Sequence, residues 1–437
     1  VLIDGKTYTA TVDSSSNWSL TVTDVLADAT YSYTVKAADT AGNTTTKSGS
    51  IKVDSTAPIL VDNGLNDLSD TGSSNIDNIT SDTTPVFEGT GEKDDLITVL
   101  INSKTYTATV DSSSNWSVTV TDVLDDKNYP YTVTATDIAG NTKTSPGSIK
   151  VDSTAPSLVT NDLNDASDTG SSDSDNITKQ TFPVIEGTGE SGADITLLIN
   201  SKTYTVTVSE TGTWAVTVTD ALGNGTHNYI VTAKDTAGNT KNSPGSITVD
   251  STVPSLFDNG LSELSDTGSS NSDKITKNTM PTFEGSGDKG DDISLVIDGE
   301  NYTAVVGEDG QWSVAVTTAL DDGVHGYTIT TKDTAGNSSN KSGSITIDTT
   351  APTGVGDIGI SGELPTLSGN AGVEESGAEI DFVINEVEYE GIIVGNDGQW
   401  SVDITSGLGS EQSAAYNVTI TDVAGNIYEE NDTLTVL

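Results

Sequence analysis

Trp18, Trp116, Trp214 and Trp312 recur every 98 residues, and Trp400 follows 88 residues after the last of them. Other landmarks keep the same register. The string Val-Asp-Ser-Thr begins at Val53, Val151 and Val249, with Ile347-Asp348-Thr349-Thr350 as a fourth copy. An Asp-x-Ala-Gly-Asn pentapeptide starts at Asp39, Asp137, Asp235, Asp333 and Asp422. A chain with this periodicity is a tandem array, and repetition has to be settled before any one residue is considered for catalysis.

The repeat implies a leading partial module at 1–54 and full modules at 55–152, 153–250 and 251–348. A variant module with a short leading linker follows at 349–437. Val1-Leu2-Ile3 aligns with Val99-Leu100-Ile101, so the chain is expected to open inside a module and the natural protein to continue upstream.

Each full module reads as a series of short strands. In 55–152, Thr84-Pro85-Val86-Phe87-Glu88-Gly89 is a first strand, with proline at its start where a missing N–H is tolerated. Leu96–Ile101 and Thr105–Val110 form a hairpin through Asn102-Ser103-Lys104, a turn that reads Asp4-Gly5-Lys6 in the first copy. Trp116 to Val120, Tyr129 to Thr136 and Ser148 to Val151 follow, with Asp137–Asn141 as a turn in which Gly140 takes positive φ. Apolar residues alternate with threonine, the mark of half-buried strands, and Trp116 shares the core phase of Val118 and Val120. About seven strands with turns every 8–12 residues describe a sandwich. The expected fold class is all-β: tandem Ig-like β-sandwich modules in an elongated rod.

Acidic side chains number 65 against 18 basic ones, for a net charge of −47. That field repels nucleic acid and anionic membranes and attracts divalent cations. No apolar run is long enough to span a bilayer. Cysteine is absent, so disulfides and thiolate metal sites are excluded. Thin-cored exported domains usually need a staple, and without disulfides a hard metal ion is the leading candidate.

The segment between Pro58 and Pro85 shows no clear strand and reads as a long acidic linker. Its acids hold register while their neighbours drift: Asp62 becomes Thr160, and Asp82 becomes Gln180. Asp54, Asp152, Asp250 and Asp348 close the modules; Asp70, Asp168 and Asp266 open a Ser-Asp-Thr-Gly-Ser-Ser string's acid position; Asp77, Asp175 and Asp273 lie seven residues on. Ca²⁺ takes six to eight oxygens in irregular geometry and suits such a set. The expectation is that Asp54, Asp70, Asp77 and Asp137 converge on one joint, and their counterparts on the next. Asp235, Asp333 and Asp422 supply the turn acid in the later copies. The alternative is a solvated linker whose Asp, Asn and Ser make local turns. Neither an EF-hand nor calcium-binding Gly-Gly-x-Gly-x-Asp repeats occur. The fourth joint lacks the string; Asp348, Asp357 and Asp422 remain, and fewer ions, or none, are expected there.

No catalytic constellation emerges. His227 and His325 occupy one equivalent position, filled by Tyr129 in another copy, and cannot build a triad or a zinc site. Carboxylate pairs are too abundant for any one of them to indicate glycosidase chemistry.

The combination Thr-Pro-x-[Phe/Ile]-Glu-Gly-x-Gly, a hairpin, Trp-Ser-Val-x-Val, Asp-x-Ala-Gly-Asn and Val-Asp-Ser-Thr-Ala-Pro resembles the bacterial Ig-like repeats of giant RTX-type, type I-secreted biofilm adhesins of Gram-negative bacteria. The resemblance implies calcium at module joints and an extracellular, cell-surface role as an extender. Such an extender projects a terminal ligand-binding domain for attachment or biofilm formation. Its partners would be calcium ions and neighbouring modules of the same chain, in a monomeric rod with no membrane insertion in this segment. Two other readings stay open: modules that bind glycan or host protein multivalently, and the stalk of a secreted polysaccharide-degrading enzyme.

Overall fold

Asn115–Thr119 pairs antiparallel with Val86–Gly91, so that Trp116 lies opposite Gly89. The alternation expected there holds: Trp116, Val118 and Val120 are buried, and the residues between them face solvent. Glycine is required opposite the indole. A Cβ on Gly89 would stand 2.1 Å from the Val61 carbonyl oxygen and 2.6 Å from the Trp116 ring. The indole N–H donates to the Thr90 carbonyl at 3.2 Å, so the one polar atom of the ring is satisfied inside the sandwich.

The structure is a computed structural model that describes residues 1–361, 366–384, 386–405 and 413–435. The described chain falls into two compact units. One holds Val1–Asn161, Ile185–Val216 and Asn228–Gly245; the other holds Asp162–Val184, Thr217–His227 and the described residues from Ser246 onward.

In the first unit, residues 55–152 form two facing sheets. The smaller runs Asn115–Thr119, Val86–Gly91, Leu60–Leu65; the larger runs Ile79–Thr80, Thr142–Val151, Lys127–Thr136, Leu96–Ile101, Lys104–Thr109. Phe87, Ile97, Val99, Trp116, Tyr131 and Val133 meet between them, with the Phe87 and Tyr131 ring centroids 4.6 Å apart. The hairpin turn has both central residues left-handed, Asn102 at φ 49 and Ser103 at φ 60, which suits the right-handed twist of its strands. Residues 1–54 supply one sheet of four strands, Leu2–Ile3, Lys6–Thr7, Ala29–Ala38 and Thr44–Val53. Trp18 has no facing Phe-Glu-Gly strand in this stretch and is 48% exposed.

The second unit repeats the plan. Residues 251–348 place Leu256–Leu261, Thr282–Gly287 and Gln311–Ala315 against a five-stranded sheet. The last stretch packs Gly359–Ser361, Thr366–Asn370 and Gln399–Asp403 against a four-stranded sheet, and Trp400 bonds to the Val355 carbonyl at 2.8 Å. The chain is therefore all-β, built of tandem Ig-like sandwiches, with a single 3₁₀ turn at Val373–Glu375 among the described residues.

The stretch from Pro58 to Pro85 is not a structureless linker. It contributes Leu60–Leu65 to the small sheet and Ile79–Thr80 to the large one. Pairing of Leu60–Leu65 is interrupted by a bulge between Asp62 and Leu65, where Gly64 sits at φ 81 and donates its N–H to Asp62. Ile79–Thr80 runs parallel to Lys150–Val151. The chain thus crosses the whole module before reaching its acidic string.

The histidines also have a definite place. Nε2 of His227 and His325 bonds to the carbonyl four residues upstream, Gly223 and Asp321, each at 2.7 Å. The Tyr31 hydroxyl does the same with Ala27 at 3.0 Å in the equivalent position.

Candidate functional site

Each Asp-x-Ala-Gly-Asn pentapeptide closes a tight turn on itself. In the second copy Gly140, at φ 95, donates to the Asp137 carbonyl, while the Asn141 N–H donates to Asp137 Oδ1 at 2.9 Å. The Asn141 side chain then donates twice, to Asp137 Oδ2 at 2.8 Å and to the Asp54 carbonyl at 3.0 Å. These bonds, the Asn141 side chain first, hold the Asp137 carboxyl below the usual aspartate range. The same bridge ties Asn239 to Asp152, Asn337 to Asp250 and Asn426 to Asp348. Asp54 with Asp137, Asp152 with Asp235, Asp250 with Asp333 and Asp348 with Asp422 are brought together as the sequence suggested. That includes the fourth pair, where the acidic string is absent from the linker that follows Asp348.

Asp70 and Asp77 do not join Asp54 and Asp137. Because Ile79–Thr80 lies beside the end of Thr142–Val151, their loop sits at the opposite pole of the module, where the Asp152 N–H donates to the Thr80 carbonyl at 2.8 Å. They flank the joint of Asp152 and Asp235 instead, one joint later than expected. By the same displacement Asp168 and Asp175 belong with Asp250 and Asp333, and Asp266 and Asp273 with Asp348 and Asp422. Asp70 Oδ2 accepts from Asn78 at 3.1 Å, but Oδ1 is buried with no hydrogen-bond partner. Burial raises the Asp70 carboxyl above the ordinary range, and the neighbouring Asp77 adds to the rise. Asp168 and Asp266 repeat this, each with a buried, unpartnered Oδ1.

The rest of the string docks onto the next module. The Thr71 hydroxyl donates to the Ala237 carbonyl at 2.5 Å, and Lys234 Nζ donates to the Gly72 carbonyl at 3.2 Å. A Cβ on Gly72, at φ 115, would stand 2.1 Å from the Thr236 carbonyl oxygen. Thr169 with Ala335 and Thr267 with Ala424 repeat the contact at 2.6 Å each. Lys179 and Lys277 donate to the carbonyls of Gly336 and Gly425. The Asp-Thr-Gly order therefore has a use for each residue: an acid, a hydroxyl latch and a close backbone approach.

Sequence reasoning missed a second set of acids. Glu92 directly follows the Glu-Gly-x-Gly segment and accepts from the Ile59 N–H at 3.0 Å. Asp95 is 4% exposed, and its Oδ2 meets no donor. Burial, then the charges of Glu92 and Asp137, push its carboxyl up. Asp54, Glu92, Asp95 and Asp137 line a cleft of about 440 Å³. In 251–348 the counterparts are Asp288 and Asp291; Asp291 Oδ2 is again unpartnered, and burial with the charges of Asp288 and Asp333 pushes it up to about 6. The signal was present, since an acid stands at this register in Glu92, Glu190 and Asp288. Among the described residues no three His, Cys, Asp or Glu side chains close on a common point as metal ligands do. No helix there is long and apolar enough to cross a membrane.

No match was found among curated protein sequences. Among solved structures, the chain is similar to a Ca²⁺-stabilised adhesin that helps an Antarctic bacterium reach out and bind ice. The identity is 29% over 83% of this chain and 96% of that one, with a TM-score of 0.29. A tetra-tandem repeat from the extending region of a large adhesion protein matches at 20% identity over 82% and 97% of the two chains, with a TM-score of 0.31. A structure from a 1.5-MDa bacterial ice-binding adhesin matches at 23% identity over 62% and 93%, with a TM-score of 0.27. The family model for the bacterial Ig-like domain matches four times, at residues 1–55, 56–153, 154–251 and 253–349. With most of its length covered by those matches, the chain belongs to the bacterial Ig-like domain family.

Proposed function

We propose that this chain is an extender segment of a large bacterial surface adhesin, an extracellular rod that calcium stiffens at its joints. The rod projects a terminal ligand-binding domain, and its modules meet at Asp54, Asp152, Asp250 and Asp348. The observation that carries this reading is the set of buried carboxylate oxygens at the joints with no hydrogen-bond partner: Asp70, Asp168 and Asp266 Oδ1, and Asp95 and Asp291 Oδ2. A buried charge without a partner is costly, and a hard cation is the partner that a cluster of carboxylate oxygens would take. Asp54, Glu92, Asp95 and Asp137 would hold it at the first joint, and Asp70 with Asp77 beside Asp152 and Asp235 at the second. The bound ion supplies positive charge between carboxylates that otherwise repel one another.

The near-identity of the copies supports a role in which number and length matter. Lys6 to Trp18 and Lys104 to Trp116 carry one and the same sequence. Small-angle scattering and thermal unfolding of the full chain, with millimolar calcium and then with chelator, test the reading. Calcium is expected to increase the maximum dimension and raise Tm, because an ion held only by the folded joint stabilises by mass action. If neither quantity changes, the calcium-stiffened rod is abandoned.

A further inference from the structure

The four joints are not copies of one another. Apart from the string acids, the Asp250 and Asp333 joint has four, with Asp288 and the buried Asp291. The Asp152 and Asp235 joint has Glu190, but Ala193 fills the register of Asp95 and Asp291, so the fourth carboxylate is gone. Asp152 is also partly neutralised, since Lys150 Nζ lies 3.1 Å from its Oδ2. Thr248 stands at the Lys150 register in the next copy, and there Asp250 Oδ1 takes an amide N–H from Asn224 at 3.3 Å. The string acids do not offset this difference, because Asp70 and Asp77 at one joint match Asp168 and Asp175 at the other. The remaining joints differ again, and residues 1–54 hold no acidic string to serve the first of them. The Asp54 joint keeps Asp95 but carries Lys52 at 2.8 Å from Asp54, and the Asp348 joint has Glu375 beside Ala378.

We infer that the joints take up calcium unequally, the Asp250–Asp333 joint before the Asp152–Asp235 joint. The inference rests on the calcium reading above and adds to it a gradient along the chain. Affinity at oxygen sites follows the number of charged ligands, and Asp291 is one carboxylate more. Each joint has one ammonium of its own, Lys150 on the Asp152 carboxylate at one and Lys179 on the Gly336 carbonyl at the other. At calcium levels between the two affinities, some joints are held while the second remains free to bend.

Hydrogen exchange of the full chain during a calcium titration reads all four joints at once. The amides of Gly336 and Asn337 donate within the turn that carries Asp333, and those of Gly238 and Asn239 within the turn that carries Asp235. Peptides over 333–337 are expected to gain protection at about tenfold lower calcium than peptides over 235–239. Lys150→Thr, an exposed change, should move the 235–239 midpoint to lower calcium, and Ala193→Asp should move it further. Asp291→Ala should raise the 333–337 midpoint alone. A common midpoint, or the reverse order, overturns the gradient and leaves calcium binding standing. Protection at no joint overturns both.

Discussion

The side-chain amide of Asn141 touches both sides of a joint, one N–H on Asp137 and the other on the Asp54 carbonyl, and Asn239, Asn337 and Asn426 do the same. Turn chemistry alone accounts for an asparagine after glycine, so its second bond could not be read from the sequence. Asp95 and Asp291 were hidden for a related reason. They lie beside other acids in Lys93-Asp94-Asp95 and Gly290-Asp291-Asp292, and only burial separates Asp95 and Asp291 from their solvated neighbours. Asp291 also sets a pH dependence. Its carboxyl is raised from 3.8 to about 6 in the fold, so without calcium its contribution is fully present below 3.8 and is lost as pH rises through about 6. In chelator at pH 7, Asp291→Asn should stabilise its module by up to about 3 kcal/mol and flatten the rise in Tm on acidification from pH 7 to 4. Thermal unfolding of the two proteins across that range measures both effects.

Among the strands, those that alternate were legible and those that do not were missed. Lys127–Thr136 and Asn115–Thr119 bury every second residue, and the pattern Tyr131, Val133, Ala135 announces it. Leu60–Leu65 reads Leu-Val-Asp-Asn-Gly-Leu; its bulge puts Asp62 and Gly64 where alternation would demand side chains of the other kind. Ile79–Thr80 is two residues long and carries no period at all. Those two short elements decide where the acidic string ends up, one joint later than the sequence suggested. The string acts as a unit because glycine lets its backbone meet the next module's turn. Gly72→Ala would drive a Cβ into the Thr236 carbonyl at a left-handed φ. Faster hydrogen exchange at residues 236–238, with the Trp116 core unchanged by near-ultraviolet circular dichroism, is the expected result.

For the whole chain, the period made legible the pairing of each closing aspartate with the next turn, since both stand at fixed register. What it did not disclose is that each string reaches the turn of the following module. Thr71 reaches Ala237 and Thr169 reaches Ala335, each across 166 residues, whereas Thr267 reaches Ala424 across 157. Equal spans have a genetic consequence. Unequal exchange between copies that removes or adds one in-frame period of 98 residues would leave the contact between string and turn in register, because each string meets the turn of the following copy. Such a chain can change length in heritable steps without redesigning a single contact. The shorter last span breaks that equivalence, so exchange involving the final copy would mismatch its partners, and growth or loss of repeats is confined to the part of the chain before it.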